Sequence, residues 1–434
     1  MEHEILIFTP KKTNRLVYTL RHVFEYRMKI SFRLTQDPEA FRIYQGSKLN
    51  YSSIKIEDFP QVIPSNILFE KRLQQPQVDI EEHDGLQLLF ANATKDLHHD
   101  VLGAVFYLLS RYEEYFPFRK DEHDRFCAKQ SLANKHDFVT KPLVDHYIIR
   151  FASWLNTSLQ IEAFKPSQDF KHVITLDVDQ LYMYKAKGLA RTVLSLAKAG
   201  IKDQEDFSKR TSILFVGKPD PIDLYDEFLD AAKSKELETI LFFQVGDSTR
   251  FDINNPVHLP KIKSKINELS LRTKIGIHPS YYTSENEEMI TREFGRFNAV
   301  SSMKLNRSRQ HYLRFKIPQT LRWLEELGIT EEYSMAFADQ NGFRASTAFP
   351  FVFYDLEQDE STNVTVHPTC FLDIASVRNC SNQEQSINEL TALYNEVKQV
   401  GGHFITVWHA EVLRGFDVPF ASLPLYEHLL EHLV

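Results

Sequence analysis

The sequence predicts an α/β protein in which a smaller α+β domain precedes an irregular (β/α) barrel. In the second part of the chain, segments typical of strands and helices alternate over about 260 residues, a length that favours a barrel over an open sheet. The first part instead combines short strands and turns with two apolar helices. The polar segment TSLQIEAFKPSQD (157–169) separates the two parts. We therefore predict an N-terminal domain over residues 1–166 and a barrel over residues 167–434.

The composition is that of an ordinary globular protein, with 434 residues, 43% hydrophobic and 25% charged. The formal net charge of −8, without a Lys/Arg-rich run, argues against a nucleic-acid partner and against an anionic membrane surface. Three cysteines, none in a Cys-x-x-Cys pair, indicate reduced thiols and no structural zinc knot. The acidic start and the lack of a run of about 18 apolar residues predict neither a signal peptide nor a membrane span. We expect a soluble, cytoplasmic protein, and the sequence does not determine its oligomeric state.

The first part offers candidate strands at EILIF (4–8), ISFRL (30–34), RIYQG (42–46) and DGLQLLF (84–90). Its candidate helices are residues 13–25, 100–112 and 142–156, the last with Pro142 at its start. The polar run DEHDRFCAKQSLANKH (121–136) lies between the last two helices. We interpret Asp121, His123 and Asp124 there as part of a solvated loop in preference to a metal cluster.

The second part alternates more regularly. Its candidate strands are HVITLDVD (172–179), TILFFQVG (239–246), the start of TKIGIHPSYYT (273–283), TAFPFVFYDL (347–356), NVTVHP (363–368) and the start of HFITVWHAEVL (403–413). Its candidate helices are KGLARTVLSLAKAG (187–200), which ends in a Gly stop signal, DLYDEFLDAAKSKE (223–236), residues 258–272, QTLRWLEELGI (319–329) and residues 383–400.

The chain is organised around HVITLDVD, a short apolar run that ends in Asp177 and Asp179. On a continuing strand, residues two apart point to the same side. Two carboxylates at the end of a buried strand repel each other, and a divalent cation would remove that cost and leave one acid as a base. An Asp turn with an Asx cap explains the same letters equally well.

Further polar residues stand where other strands end. His278 follows KIGI directly, His409 follows FITVW, and Arg309 and His311 lie in SRQHYLRF before another apolar run. Working residues of a barrel sit at such strand ends. A single histidine there is often only structural, but two acids and three histidines together indicate a site for zinc or another divalent metal.

Four segments, in this order, resemble motifs of the polysaccharide deacetylases, the NodB-homology family that includes chitin and peptidoglycan N-deacetylases. TLDVD (175–179) resembles its first motif, Thr-Phe-Asp-Asp, and HPSYY (278–282) its second, His-Ser/Thr-x-x-His. SRQHY (308–312) falls where the arginine-bearing third motif belongs, and VWHAEVL (407–413) resembles the final Leu/Trp-His motif. The resemblance covers about residues 170–415. The whole chain is similar to a Bacteroidetes-type subgroup whose N-terminal domain carries an FYLLSRYEEY-like helix (106–115) and a DRF…S segment.

The chain departs from the family pattern in three places. Val178 separates two acids that are adjacent in the family, Tyr282 stands in place of the second histidine of the second motif, and the third motif lacks its proline. The usual three-ligand metal set is therefore incomplete. His311, arriving from a neighbouring strand, is the substitute we predict.

The resemblance implies a metal-dependent hydrolase of carbohydrate metabolism, which removes an acetyl group from an N-acetylated sugar or related amide. It implies that Asp177 is the base, that His409 is the general acid and that Arg309 orients the Asp177 carboxylate. The predicted metal ligands are Asp179, His278 and His311, with zinc as the expected divalent metal. Two alternatives stay open: a catalytically degenerate sugar-binding or regulatory protein on the same scaffold, and a hydrolase of a small non-sugar amide.

Three more residues are predicted to contact the substrate. Trp408, next to the proposed acid, could pack against a sugar face, although a core tryptophan explains it as well. In ADQNGFRAST (338–347), Asp339 and Arg344 could belong to a loop over the site, with Arg344 contacting a carboxylate or phosphate. A tight turn around Gly342 is the structural alternative.

Overall fold

The computed structural model describes residues 3–301 and 303–434 and shows a mixed α/β protein in which parallel strands predominate. None of the helices among these residues is long and apolar enough to cross a membrane.

The first part has a four-stranded parallel sheet of order β2-β1-β3-β4 and a separate antiparallel hairpin, β5-β6. Its elements are β1 Glu4–Phe8, α1 Asn14–Leu20, β2 Ser31–Thr35, α2 Pro38–Ile43, β3 Ser47–Tyr51, β4 Gln61–Val62, β5 Ile80–His83, β6 Leu86–Leu89, α3 Val101–Leu109, α4 Leu132–Lys135 and α5 Leu143–Leu159. A π-helical segment, Arg21–Arg27, continues α1.

The second part is built on a nine-stranded sheet. Its elements are β7 Lys171–Val178, α6 Leu189–Lys202, α7 Gln204–Thr211, α8 Tyr225–Ser234, β8 Glu238–Phe243, α9 Pro260–Ser270, β9 Lys274–Ile277, α10 Glu287–Val300, β10 Arg307–Ser308, α11 Gln319–Glu326, β11 Glu331–Glu332, β12 Phe351–Asp355, β13 Glu360–Val366, β14 Phe371–Leu372, α12 Asp373–Asn379, α13 Gln383–Val400, β15 His403–His409, α14 Ala410–Leu413 and α15 Leu423–His428.

The strand order of this sheet is β12-β13-β11-β10-β9-β8-β7-β15-β14, and every pair except β12-β13 is parallel. β7 lies next to β8 and β15, with all of its residues after Lys171 buried. Strands of a parallel sheet covered on both faces are apolar throughout, which is why the VITL run takes this central place. The carboxyl ends of the parallel strands meet along one edge, where Asp177, His278 and His409 stand.

The nine-stranded sheet is strongly curved. β13 and β14 are seven strand positions apart, about 33 Å in a flat sheet. Only residues 367–370 link them, and this link reaches about 18 Å at most. The inner face carries a cluster of Val173, Ile240, Phe242, Tyr333 and Ile405. Complete closure into the expected barrel stays a prediction.

The two parts share one hydrophobic core and several buried polar contacts. Asp145 of α5 pairs with Arg27 of its own part and accepts hydrogen bonds from Thr347 Oγ1 at 3.1 Å and from the Ala348 amide at 2.7 Å. The Tyr18 hydroxyl donates to the Val352 carbonyl at 2.7 Å. These contacts fix the N-terminal part against the second sheet.

Most predicted elements occur where expected, but three local predictions are wrong. RIYQG is not a strand, because Asp37 caps the helix Pro38–Ile43 with Pro38 at its first position. Gly200 does not end α6, which continues to Lys202. The first sheet is wholly parallel, an α/β arrangement where α+β was expected.

Candidate active site

Two acidic side chains at the end of β7 differ in their surroundings. Asp177 is 3% exposed and lies beside His409 in the β7-β15 register. Asp179 follows the strand, and its Oδ1 atom is buried without a hydrogen-bond partner. A buried carboxylate oxygen with no partner carries a large desolvation cost, which a bound cation would remove.

His278, directly after β9, presents one ring nitrogen to these acids. Its Nδ1 lies 2.6 Å from the backbone carbonyl of Arg309. Because a carbonyl only accepts, we assign the hydrogen to Nδ1, which leaves a lone pair on Nε2. This Nε2 is 3.3 Å from Asp179 Oδ1 and 3.8 Å from Asp177 Oδ2.

His311 is held in the same way by a carboxylate. Its Nδ1 lies 2.8 Å from Asp252 Oδ1, so Nδ1 carries a hydrogen and Nε2 faces Asp179 Oδ1 at 3.4 Å. Asp252 is itself fixed by the Thr249 hydroxyl at 2.6 Å and the Tyr281 amide at 2.9 Å. A carboxylate behind a histidine that orients its other nitrogen is the usual second layer of a metal site.

Asp179, His278 and His311 therefore converge, with one ligand atom of each lying within 4.8 Å of the other two. When both imidazoles are neutral, three lone pairs face one point and no hydrogen separates them. Two histidines and one carboxylate form a donor set that zinc accepts in catalytic sites. The residues present thus fit a divalent metal.

The electrostatics of this cluster favour a positive charge. Burial lowers the pKa of His311, but the charges of Asp179 and Asp252 and their hydrogen bonds outweigh it and raise the pKa to about 10. Burial raises the pKa of Asp179, but the two histidines hold it well below the usual range of an aspartate. The two acids thus stabilise a positive charge on the His311 imidazole.

Arg309 is the buried cation next to Asp177. Its Nη1 donates to Asp177 Oδ1 at 2.9 Å and to the Thr175 hydroxyl at 2.6 Å, while its Nε donates to the Tyr333 carbonyl at 3.1 Å. The guanidinium is fully buried. Asp177 is thereby held in a fixed orientation, with Oδ2 turned toward His278 and His409.

His409, at the end of β15, has a carboxylate partner of its own. Its Nδ1 donates to Asp373 Oδ1 at 2.7 Å, and its Nε2 lies 3.9 Å from Asp177 Oδ2. The Ser422 hydroxyl donates to the other Asp373 oxygen at 3.0 Å. Burial lowers the pKa of His409, but the charges of Asp373 and, to a lesser extent, Asp177 outweigh this and raise the pKa to about 9. The imidazolium form therefore predominates at neutral pH and can give up a proton.

A cavity of about 340 Å³ opens above these groups. Its wall includes Glu122, His123 and Arg125 from the N-terminal part, together with Phe251 and Tyr312. The loop of residues 121–125 is not simply solvated as expected, since His123 Nδ1 lies 3.0 Å from the Tyr281 hydroxyl and Arg125 Nη1 donates to the Tyr312 carbonyl at 2.7 Å.

Tyr312 occupies an unfavourable backbone conformation at the cavity. Its φ is 59°, and that of the next residue, Leu313, is 51°. Left-handed conformations are rare for large side chains and gather at functional sites. The Tyr312 ring packs against His311 at a centroid distance of 4.6 Å. The strained turn thus places an aromatic face beside a candidate metal ligand.

Three predicted substrate contacts do not line this cavity. Arg344 is buried in a bidentate ion pair with Glu114, and Asp339 accepts from the Ala128 amide at 3.1 Å. Trp408 is fully buried against Phe371 and Tyr426. The first two tie the loop of residues 338–347 to the N-terminal part, and strand alternation turns Trp408 into the core. Their positions do not support a substrate role.

The sequence did not reveal the carboxylates that orient the histidines of the site. Asp252 and Asp373 orient His311 and His409, and Glu411 lines the cavity with a hydrogen bond from Gln180 at 3.1 Å. Asp373 had a usable signal, since it stands directly after the apolar pair Phe371–Leu372 at a helix start. Tyr282, at the position of the family's second histidine, is 37% exposed, and the third side chain that converges with Asp179 and His278 is that of His311.

Comparison with known proteins gives one family match, in the N-terminal part, and a distant structural likeness. Residues 5–160 match a family model described as "Family of unknown function (DUF7033)". No curated protein matches the chain. Among solved structures, one from Mycobacterium smegmatis, described as a candidate polysaccharide deacetylase, is 13% identical, with a TM-score of 0.39 over 61% of this chain and 85% of that chain. The likeness is too distant to identify a substrate or an activity.

Proposed function

We propose that the protein is a metal-dependent hydrolase that removes an acetyl group from an N-acetylated sugar or related amide. The observation that carries the proposal is the convergence of Asp179, His278 and His311 within 4.8 Å, beside a buried acid and a charged histidine. The motif resemblance supplies the reaction class, and the local geometry supplies a role for each motif residue.

Asp179, His278 and His311 would hold the metal, and the metal, when bound, would polarise the acyl group and acidify a water molecule. Asp177 would take a proton from that water through Oδ2, because Oδ1 is engaged by Arg309. His409 would protonate the leaving nitrogen from Nε2, while Asp373 holds Nδ1. The proton donor and acceptor are 3.9 Å apart, so both face one reacting group.

The arrangement favours an enzyme over the degenerate alternative. That alternative depended on the missing histidine at Tyr282, and His311 brings a third donor to the same point. The small non-sugar amide stays a substrate to be tested. Phe251 and Tyr312 line the cavity and offer the apolar ring faces that we first expected from Trp408.

We also infer that the curved sheet closes as a barrel. The linking segment donates backbone hydrogen bonds from His367 to Glu332 at 2.7 Å, from Thr369 to Met335 at 3.1 Å and from Cys370 to Ile405 at 3.4 Å. The same segment therefore bonds to both ends of the remaining sheet. Closure would bring the strand ends into one ring around the metal ligands.

The first experiment measures bound zinc and acetyl release for the wild type, His278→Ala, His311→Ala and His409→Ala. We expect about one zinc per chain in the wild type, a loss of zinc in the first two variants and retained zinc in His409→Ala. Deacetylation should fall in all three variants, by about 100-fold or more in His409→Ala. Circular dichroism checks that each variant folds.

The substrate panel pairs N-acetylated oligosaccharides with small acetamides. Acetyl release from the oligosaccharides alone supports the sugar reading, while release from the small amides alone supports the third alternative. A wild type that takes up no zinc, manganese or cobalt would contradict the proposal and favour a non-catalytic protein. Unchanged zinc in His311→Ala, with loss in His278→Ala, would remove His311 from the ligand set.

A further inference from the structure

The connection between β7 and β8 contains an exposed helical hairpin over residues 187–218. It comprises α6, α7 and a π-helical turn, Ser212–Val216. Only Ala199 and Ile213 are buried within it. A connection of this size that packs so little against its own protein needs a reason for its apolar content.

The exposed side of α6 is apolar. Leu189, Val193, Leu194 and Ile201 are exposed by 83%, 56%, 70% and 85%. At about 100° per residue, these four side chains lie within an arc of roughly 140° on the helix. Phe215 and Val216 add further exposed area, at 72% and 75%. Six of the 15 large exposed hydrophobic side chains among the described residues lie in this one segment, so the patch is not random surface.

Basic residues border this apolar arc. Arg191, Lys198 and Lys202 lie at roughly 180° to 220° on the same helix, beside the arc. Residues 187–218 contain seven Lys and Arg and three Asp and Glu, a net charge of +4. The whole chain carries −8, which leaves −12 for the rest. The positive charge is thus concentrated on the apolar hairpin of an acidic protein.

We propose that the 187–218 hairpin docks on the surface of an anionic lipid bilayer, with α6 lying parallel to the surface. An amphipathic helix with a large apolar face and Lys/Arg beside it inserts its apolar side among lipid headgroups while its cations meet anionic lipids. The acidic remainder is repelled by the same surface, which selects one orientation. A second copy of the hairpin is a poorer partner, because it would place +4 against +4.

The hairpin borders the candidate active-site cavity. Lys187 Nζ donates to the Gln180 side chain, and Lys209 Nζ lies 5.2 Å from the ring centre of Phe416. Gln180 and Phe416 both line the cavity. Docking through this hairpin would therefore hold the cavity close to the lipid surface. The docking itself does not depend on the proposed reaction or on bound metal.

The test is cosedimentation of the full-length protein with vesicles of phosphatidylcholine alone or with 30% phosphatidylglycerol. We expect at least about tenfold stronger binding to the anionic vesicles and weaker binding at high salt. Leu194→Glu combined with Ile201→Glu should lower binding to anionic vesicles by about tenfold or more. Ile43→Glu combined with Leu271→Glu is the matched control, since it adds the same two charges at side chains that are 72% and 84% exposed and lie outside the hairpin.

Equal binding to both vesicle types, or no binding to either, would overturn the proposal. So would an equal loss of binding in the hairpin variant and in the control with Ile43→Glu and Leu271→Glu. Sedimentation equilibrium of the wild type and the double variant examines the competing occupant. A wild-type dimer that the double variant converts to a monomer would assign the patch to a second copy, against the proposal.

Discussion

Arg309 and Arg344 are both buried arginines that follow short strands or loops of the second part, and both were predicted to be functional. Arg309 donates its hydrogen bonds within the sheet, to Asp177, Thr175 and the Tyr333 carbonyl. Arg344 instead joins the two parts of the chain. Its Nε and Nη2 donate to Glu114 at 2.9 and 2.5 Å, and its Nη1 donates to the Ala336 carbonyl at 3.1 Å. The residue type is therefore no guide to its role. The partner decides whether an arginine serves a reaction or joins two parts of the fold.

Breaking the Arg344 pair should have the largest effect on stability. Arg344→Met leaves Glu114 buried with one fewer cation, and removing one partner of a buried pair costs about 3–5 kcal/mol. Burial raises the pKa of Glu114, but Arg344 and Arg111 hold it below its ordinary value, so the charge persists in the folded protein. Chemical denaturation measures the free energy of unfolding.

The double variant Glu114→Gln with Arg344→Met separates charge from packing. We expect it to recover part of the loss, since no uncompensated carboxylate is left buried. Zinc content per folded molecule should stay unchanged in both variants. Reduced zinc in Arg344→Met that still folds would contradict the interpretation and return this loop to the site.

Replacing Arg309 should show the opposite pattern. Arg309→Met removes the donor to Asp177 but keeps the backbone carbonyl that fixes His278, so zinc should be retained. Deacetylation should fall about 100- to 1,000-fold, as when one oriented donor at a reacting centre is lost.

Arg309→Lys is the control for charge without geometry. A lysine keeps the cation but cannot reproduce the fork that reaches Thr175, Asp177 and the Tyr333 carbonyl. We expect it to restore only part of the rate. An Arg309→Met protein with wild-type activity would show that Asp177 needs no such partner.

These contrasts explain how much the sequence could predict. Asp177, Asp179, His278 and His409 could be proposed from the sequence because each stands at the end of an apolar strand, which a local pattern is enough to recognise. Asp252 and Asp373 contact histidines that lie 59 and 36 residues away in the chain. No pattern near Asp252 predicts its contact, and the strand-end position of Asp373 does not identify His409 as its partner. The Glu114–Arg344 pair spans 230 residues and depends on how two parts dock. Local periodicity carries no information about such a pairing.

Replacing a buried polar side chain that has no hydrogen-bond partner should have the smallest effect, and it should raise the free energy of unfolding. His172 of β7 is 7% exposed, and neither ring nitrogen has a hydrogen-bond partner. Its ring packs against Phe404 at a centroid distance of 5.2 Å. Burial lowers the pKa of His172 to about 3. His172→Phe should therefore keep the ring contact, remove two unpaired atoms and raise the free energy of unfolding by about 1 kcal/mol at pH 7.5.

The same substitution should change the response to acid. The pKa of a histidine in the unfolded chain is about 6.5. Between that pH and about 3, His172 therefore binds a proton in the unfolded chain but not in the folded protein. Wild-type stability should then fall by up to about 1.4 kcal/mol per pH unit from this group, and His172→Phe should remove that slope. Denaturation at pH 7.5, 6.0 and 5.0 measures it, with His432→Phe, whose side chain is 60% exposed, as the control. Parallel stability curves for the wild type and His172→Phe over this range would show that the buried ring accepts a proton after all.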